Sequence, residues 1–228
     1  MKLAVLGGSF NPVHIGHLAL ADAACVELGY DKVIFVPTFE PPHKRVAHDF
    51  ASAEDRLEML RLATEKNPRF EVSDIEIARG GVSYTVDTLS ELSEKYSAQL
   101  SSKIGFIMGS DLLSGFHLWH NVQKIVELSD LVLASRKESG VRLDNAERSM
   151  NAPSGKYAGV EKLDESEREE LRHNFEYPHK LLETPILPIS STDIRVMCAK
   201  RGSWRYLVPD GVYWYIIKNK LYGAEYGE

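Results

Sequence analysis

Short apolar runs that carry no polar side chain, set between helical stretches, constrain this chain more than any other feature. Residues 3–6, 33–36, 104–108 and 131–134 are such runs. A strand without a polar face is buried on both sides, which is the situation of parallel sheets covered by helices above and below. After the first run, Leu18, Leu20, Ala21, Ala24, Cys25 and Leu28 recur at helical spacing and stop at Gly29. Ser52 and Asp55 resemble a capping box, opening an amphipathic helix through Leu57, Leu60 and Leu62. That helix places Arg56 and Arg61 on its wet face or in ion pairs. Residues 70–77 alternate with period two and predict an exposed or edge strand before the Gly80-Gly81 turn. Alternating strands and helices predict an α/β chain: a Rossmann-like, doubly wound, mostly parallel sheet with a C-terminal helical end. At 228 residues without a break in composition, one domain covers 1–228.

The first strand runs straight into Gly7 and Gly8, then Ser9, Phe10, Asn11 and Pro12 as a turn, then His14, Gly16 and His17. A strand passing through glycines into a helix brings unpaired backbone N–H groups and a positive helix end to one place, which suits an anion. Two histidines three apart in a first helical turn share a face and can both address that anion. Gly16 removes a side chain where a ligand approaches backbone. Neither the G-x-x-x-x-G-K-[ST] nor the complete G-x-G-x-x-G phosphate loop is present.

The wording Gly7-Gly-Ser-Phe-Asn-Pro-Val-His-Ile-Gly-His17 resembles the signature of the H-x-G-H nucleotidyltransferases. Within them it is similar to the bacterial nicotinate-nucleotide adenylyltransferase family, which joins nicotinate mononucleotide to ATP in NAD biosynthesis. The resemblance implies that Gly7, Gly8, Ser9, Phe10, His14 and His17 bind ATP, with Ser9 also on the mononucleotide side. Further matches follow in order. Pro41-Pro-His-Lys44 would alone be a solvated basic loop; the resemblance implies that Lys44 contacts the mononucleotide phosphate. Ser83-Tyr84-Thr85 and Asp87 read locally as a helix cap; by resemblance Thr85 meets the nicotinate carboxylate and Tyr84 lines the pocket. Gly109 and Asp111, at the carboxyl end of a buried strand, match a G-x-D pattern that implies a ribose site. Trp119 reads as core, or by resemblance as a wall stacked on the pyridine ring. Ser191, Thr192 and Arg195 read as a capped helix start, or by resemblance as the grip on the ATP triphosphate. Arg136 stands just past the fifth strand, where a mononucleotide contact or a surface ion pair explains it equally well.

The chemistry this implies needs no covalent residue. A phosphomonoester, whose second pKa is about 6, is already a nucleophile near neutrality. Positioning and charge stabilisation are then the catalytic means, with His14, His17, Lys44 and Arg195 around the reacting phosphates and Mg²⁺ carried on ATP. Pantetheine-phosphate adenylyltransferase, nicotinamide-nucleotide adenylyltransferase and a non-catalytic nucleotide sensor are the alternatives. A polar stretch over about 138–184 departs from the family and reads as a surface insertion. The net charge of −6 argues against nucleic acid as a partner, and no apolar run approaches membrane-spanning length. The partners expected are ATP and nicotinate mononucleotide; a homo-oligomer is compatible. Cys25 falls on the apolar face of the first helix and reads as a buried thiol. With no charged leader ahead of the first strand, the expected location is the cytoplasm.

Overall fold

A computed structural model describes residues 1–40, 50–134, 175–183 and 187–225. Among the described residues six strands form one sheet: β1 (Leu3–Gly8), β2 (Lys32–Pro37), β3 (Phe70–Val72), β4 (Ile104–Gly109), β5 (Ser129–Ala134) and β6 (His179–Leu182). Their order is β3-β2-β1-β4-β5-β6 and every pairing is parallel. The helices are α1 (Ile15–Glu27), α2 (Ala53–Thr64), α3 (Ile75–Arg79), α4 (Thr85–Lys95), α5 (Val122–Leu128), α6 (Ser191–Ala199) and α7 (Asp210–Lys218), with 3-10 helices at Ser110–Leu118 and Leu221–Gly223.

Strand alternation sorts the apolar residues into two cores. Ala4, Leu6, Val33 and Phe35 meet Ala21 and Ala24 of α1, Met59 and Leu60 of α2, Ile194 of α6, and Val212 and Ile216 of α7. On the opposite face Leu3, Val5, Ile34 and Val36 meet Val86, Leu89 and Leu92 of α4, Ile125 of α5, and Phe116. Burying each Leu, Ile or Phe in this way contributes about 2 kcal/mol. The doubly wound architecture read from the apolar runs is therefore the one observed. Cys25 and Cys198 are free and buried, and burial pushes the Cys198 thiol up to about 12. No helix among the described residues is long and apolar enough to cross a membrane.

Apart from the helix caps at the site, local expectations fail at three places. The alternating stretch 70–77 is a strand only to Val72; Ile75–Arg79 is a short helix. Glu76 is turned inward, 7% exposed, and its Oε1 accepts a 2.6 Å hydrogen bond from Thr88 Oγ1. A continuing edge strand would have sent this carboxylate to solvent. The polar stretch about 138–184 ends in β6, which pairs with β5 and is fastened by a 2.7 Å ion pair from Lys180 to Asp130. As an edge strand with two polar residues it carries no apolar signature; 138–174 and 184 of that stretch lie outside the described residues. Arg56 is not on a wet face: it is 1% exposed beneath the loops that follow β1 and β2. Arg61 is exposed and pairs with Glu58, as expected.

Candidate active site

The strand order reverses between β1 and β4, and in open α/β sheets ligands bind outside the carboxyl ends of strands at such a point. Here the crevice has a visible origin. β1 stays paired with β2 as far as Gly8 and Pro37, and β4 with β5 as far as Gly109 and Ala134. The β1–β4 register ends earlier, at Leu6 and Ile107. The final residues of the two central strands are thus paired outward and not with each other. Gly7 and Gly8 line one side of the gap and Gly109 the other. A Cβ on Gly7 would meet nothing within 4 Å, whereas one on Gly8 would touch the Phe10 ring at 3.4 Å.

Phe10 is buried beneath the loop, edge-on to His17 with ring centroids 4.9 Å apart and tilted against Phe35 at 5.9 Å. It takes a positive φ of 45°, which turns the chain toward α1. His14 occupies the N-cap position of α1 and His17 the third helical position. Their rings stack at 3.7 Å between centroids. The His14 N–H donates to His17 Nδ1 at 3.2 Å, so a neutral His17 ring carries its proton on Nε2, where it can donate to an oxyanion. The helix end itself is less open than the strand–glycine–helix pattern implies. The Ile15 N–H donates to the Leu207 carbonyl and the His17 N–H to the His14 carbonyl, both at 3.0 Å. The half-buried His17 ring, with the buried His14 ring stacked behind it, is what this helix start can present to an anion, more than the backbone donors.

Helix α6 closes on the same loop. Ser191 Oγ donates to the Pro12 carbonyl at 2.8 Å and Arg195 Nη1 to the Asn11 carbonyl at 2.9 Å. The cap differs from expectation. Ser190, not Ser191 or Thr192, accepts from the Asp193 N–H, so Ser191 and Thr192 are the first two helical residues and Arg195 lies in the second turn. The change of cap frees the Ser191 hydroxyl to reach the Pro12 carbonyl in the loop after β1. Thr192 is exposed beside Arg195, with Oγ1 3.5 Å from Nη2. Asn11 Oδ1 accepts from the Ala51 N–H at 3.0 Å and from the Tyr222 hydroxyl at 2.7 Å, fixing the loop from below.

A second set of contacts connects this loop to the start of α4. The Thr38 N–H donates to the Gly8 carbonyl, the Ser83 N–H donates to the Glu40 carbonyl, and Ser83 Oγ accepts from the Phe39 N–H at 3.1 Å. Ser83 is thereby committed to the β2 loop and does not cap α4, and Thr85 does not cap it either. Tyr84 is the N-cap residue, with no side-chain cap bond, and Asp87 supplies the acidic group of the first turn. An uncapped helix start with Thr85 as its first residue can receive a carboxylate. Trp119 is half-buried just past the 3-10 helix, 5.3 Å from Phe116 and 6.0 Å from Phe106, so one side of it is core. His120 tilts over Tyr84 at 4.6 Å, a contact that nothing in the sequence spacing marks. Asp111 falls in the first turn of the 3-10 helix that follows Gly109. Its side chain, Lys44 and Arg136 lie outside the described residues.

Comparison with known proteins agrees with this geometry. The cytidylyltransferase-like family matches residues 5–197. A protein of Treponema pallidum (strain Nichols), named probable nicotinate-nucleotide adenylyltransferase, is 40% identical over 222 residues, covering 97% of this chain and 99% of that protein. One of the same name from Desulfitobacterium hafniense (strain Y51) is 39% identical over 226 residues, covering 97% and 95%. Among solved structures, Plasmodium falciparum nicotinic acid mononucleotide adenylyltransferase complexed with NaAD superposes with a TM-score of 0.68 at 20% identity, over 97% of both chains, a likeness of fold. With its switch-point crevice and stacked histidine pair, the chain belongs to the cytidylyltransferase-like family of nucleotidyltransferases, in company with the nicotinate-nucleotide adenylyltransferases.

Proposed function

We propose that this protein joins ATP and nicotinate mononucleotide to give deamido-NAD and pyrophosphate, in NAD biosynthesis. The observation that carries the reading is the gathering of His14, His17, Ser191 and Arg195 around one loop at the carboxyl end of β1. A loop enclosed by two imidazoles, a hydroxyl and a guanidinium suits a chain of phosphates. The full-length relatives named for this activity point the same way.

In the reaction a phosphate oxygen of the mononucleotide attacks the α-phosphorus of ATP. The new O–Pα bond forms as the bond from Pα to the bridging oxygen of the β-phosphate breaks, and pyrophosphate leaves with that oxygen and its electron pair. Mg²⁺ enters as part of the nucleotide substrate, on phosphate oxygens. His17 Nε2–H donates to the α-phosphate as charge develops on it, and His14 supports it from the stacked position. Ser191, Thr192 and Arg195 hold the β- and γ-phosphates. Lys44 holds the incoming phosphate, Gly109 and Asp111 a ribose, and the start of α4 at Thr85 receives the nicotinate carboxylate beside Tyr84 and Trp119. Arg136 contacts the mononucleotide.

The test is pyrophosphate release with Mg²⁺-ATP and, separately, nicotinate mononucleotide, nicotinamide mononucleotide and phosphopantetheine. Preference for the nicotinate substrate is expected. Equal use of both pyridine nucleotides would remove the carboxylate-receptor role of Thr85, and release with none of the three would overturn the reaction.

A further inference from the structure

We propose that Arg56 is a positioning residue for the mononucleotide half of the site, its buried guanidinium fixing the nucleotide loop and both ends of the β2–α2 connection relative to one another. The proposal rests on the reaction given above.

Arg56 belongs to α2 and is 1% exposed. Its fork reaches backbone carbonyls from three separate parts of the chain. Nη1 donates to Ser9 at 2.9 Å, in the nucleotide loop, and to Thr38 at 2.7 Å, just past β2. Nη2 points at the Phe39 carbonyl at 3.5 Å, and Nε donates to the Ala51 carbonyl at 3.3 Å, at the entry to α2. The Phe50 ring covers the guanidinium, 4.9 Å from its carbon. Burial lowers the pKa of Arg56, yet among the described residues no carboxylate bonds to it. Taking an unpaired cation out of water is costly, and an aliphatic residue would pack there at less expense. What the guanidinium supplies in return is geometry: a rigid planar fork of five donors that no other side chain possesses.

The segments it joins are not equivalent. His14, His17 and the loop carbonyls facing α6 are fixed by the ring stack, Ser191 and Arg195. Thr38, Phe39 and Ala51 all rest on Arg56, and Phe39 in turn donates to Ser83 beside the start of α4, where the proposed reaction places the mononucleotide. The mononucleotide side should therefore feel its loss more than the ATP side.

The experiment compares wild type, Arg56→Lys, Phe50→Leu and Met59→Ala, with KM for each substrate and kcat measured at a temperature where circular dichroism reports a folded protein. Met59 is a fully buried α2 residue outside the site and controls for lost stability. Arg56→Lys keeps the charge and loses the fork. It is expected to raise KM for nicotinate mononucleotide by about tenfold or more while KM for ATP moves by less than about threefold, the scale expected of a small misplacement. Phe50→Leu is expected to move the same KM in the same direction by a smaller factor. Met59→Ala is expected to lower Tm and leave both KM values in place. Equal changes in the two KM values, or none, in Arg56→Lys overturn the proposal. If that variant does not fold, an unchanged mononucleotide KM in Phe50→Leu overturns it. A wild type that releases no pyrophosphate overturns the reaction and this proposal together; an active wild type with indifferent variants overturns this proposal alone.

Discussion

A Cβ on residue 16 would stand 3.0 Å from Nδ1 of His14 and 3.1 Å from its Cε1, so the glycine between the two histidines is what allows the first ring to lie flat on the second. The sequence suggests that Gly16 makes room for a ligand. The space it leaves is taken by the protein's own imidazole.

Gly16→Ala should therefore act on turnover and spare the fold. Alanine favours a helix over glycine by about 1 kcal/mol, which offsets part of the crowding. We expect kcat/KM to fall by about tenfold or more while Tm stays within a few degrees, because the His14 ring, 2% exposed, has little room to yield. Normal kcat/KM in a folded variant would show that the stack is dispensable.

His17→Ala should abolish turnover without unfolding the chain, since His17 is only half-buried and its Nδ1 bond to the His14 N–H is one contact on the surface of α1. A loss of about 10²-fold or more in kcat is the scale seen when one charge-stabilising donor is removed. Near-normal kcat in pyrophosphate release would remove His17 from the transition state.

Tyr222→Phe deletes the 2.7 Å hydrogen bond to Asn11 Oδ1, which keeps its second donor, the Ala51 N–H. The cost should be about 1 kcal/mol, lowering Tm by about 2–4 °C in a chain of this size. A thermal melt of the two proteins side by side measures it; an unchanged Tm would mean that this bond does not stabilise the loop.

The Tyr30 hydroxyl is buried without a hydrogen-bond partner among the described residues, and a Cβ on Gly105 would stand 2.3 Å from it. Burial holds that phenol at a pKa of about 12. Tyr30→Phe should be neutral or mildly stabilising, because it removes an unsatisfied polar group. Gly105→Ala should cost about 3 kcal/mol or more through overpacking against the sheet. Chemical denaturation of both variants gives the comparison, and the opposite order would contradict it.

Burial raises the pKa of Glu76, opposed in part by hydrogen bonding to Thr88 and Ser83. A carboxyl whose folded value lies above its usual 4.5 favours the folded state most when protonated. Its contribution is complete below 4.5 and is lost as pH rises through the folded value. Glu76→Gln removes the titration, so its stability plotted against pH should not share the decline that wild type shows above 4.5. Parallel curves would mean that Glu76 ionises in the fold as it does in the unfolded chain.

What the sequence reveals, and what it hides, follows from the range of the interactions. The apolar runs at β1, β2, β4 and β5 announce burial on both faces, which is a local property, and the Ser52 cap lies three residues from the N–H it holds. Gly7 to His17 is legible because the loop is contiguous. Arg56 escapes a local reading because its burial depends on carbonyls up to 47 residues away, while its charge alone points to solvent. Ser83 and Ser190 show the same difficulty on a smaller scale. A run of neighbouring hydroxyls is locally interchangeable, and only the tertiary partner, Phe39 for Ser83 and Pro12 for Ser191, decides which one caps. β6 is hidden because an edge strand needs only one apolar face, and its two leucines sit beside a histidine and a lysine.

The loop after β1 is made early, yet its supports come from far along the chain: Ser191 and Arg195 bond it across 179 and 184 residues, and Tyr222 across 211. On the ribosome, β1 and its glycines are exposed long before those partners are made, and contacts of such separation are slow to close. The loop after β1 must therefore wait for 179 to 211 further residues of synthesis before its supports exist. On the proposed function, the loop gains its full set of supports for a nucleotide only after Ser191, Arg195 and Tyr222 fold back onto it.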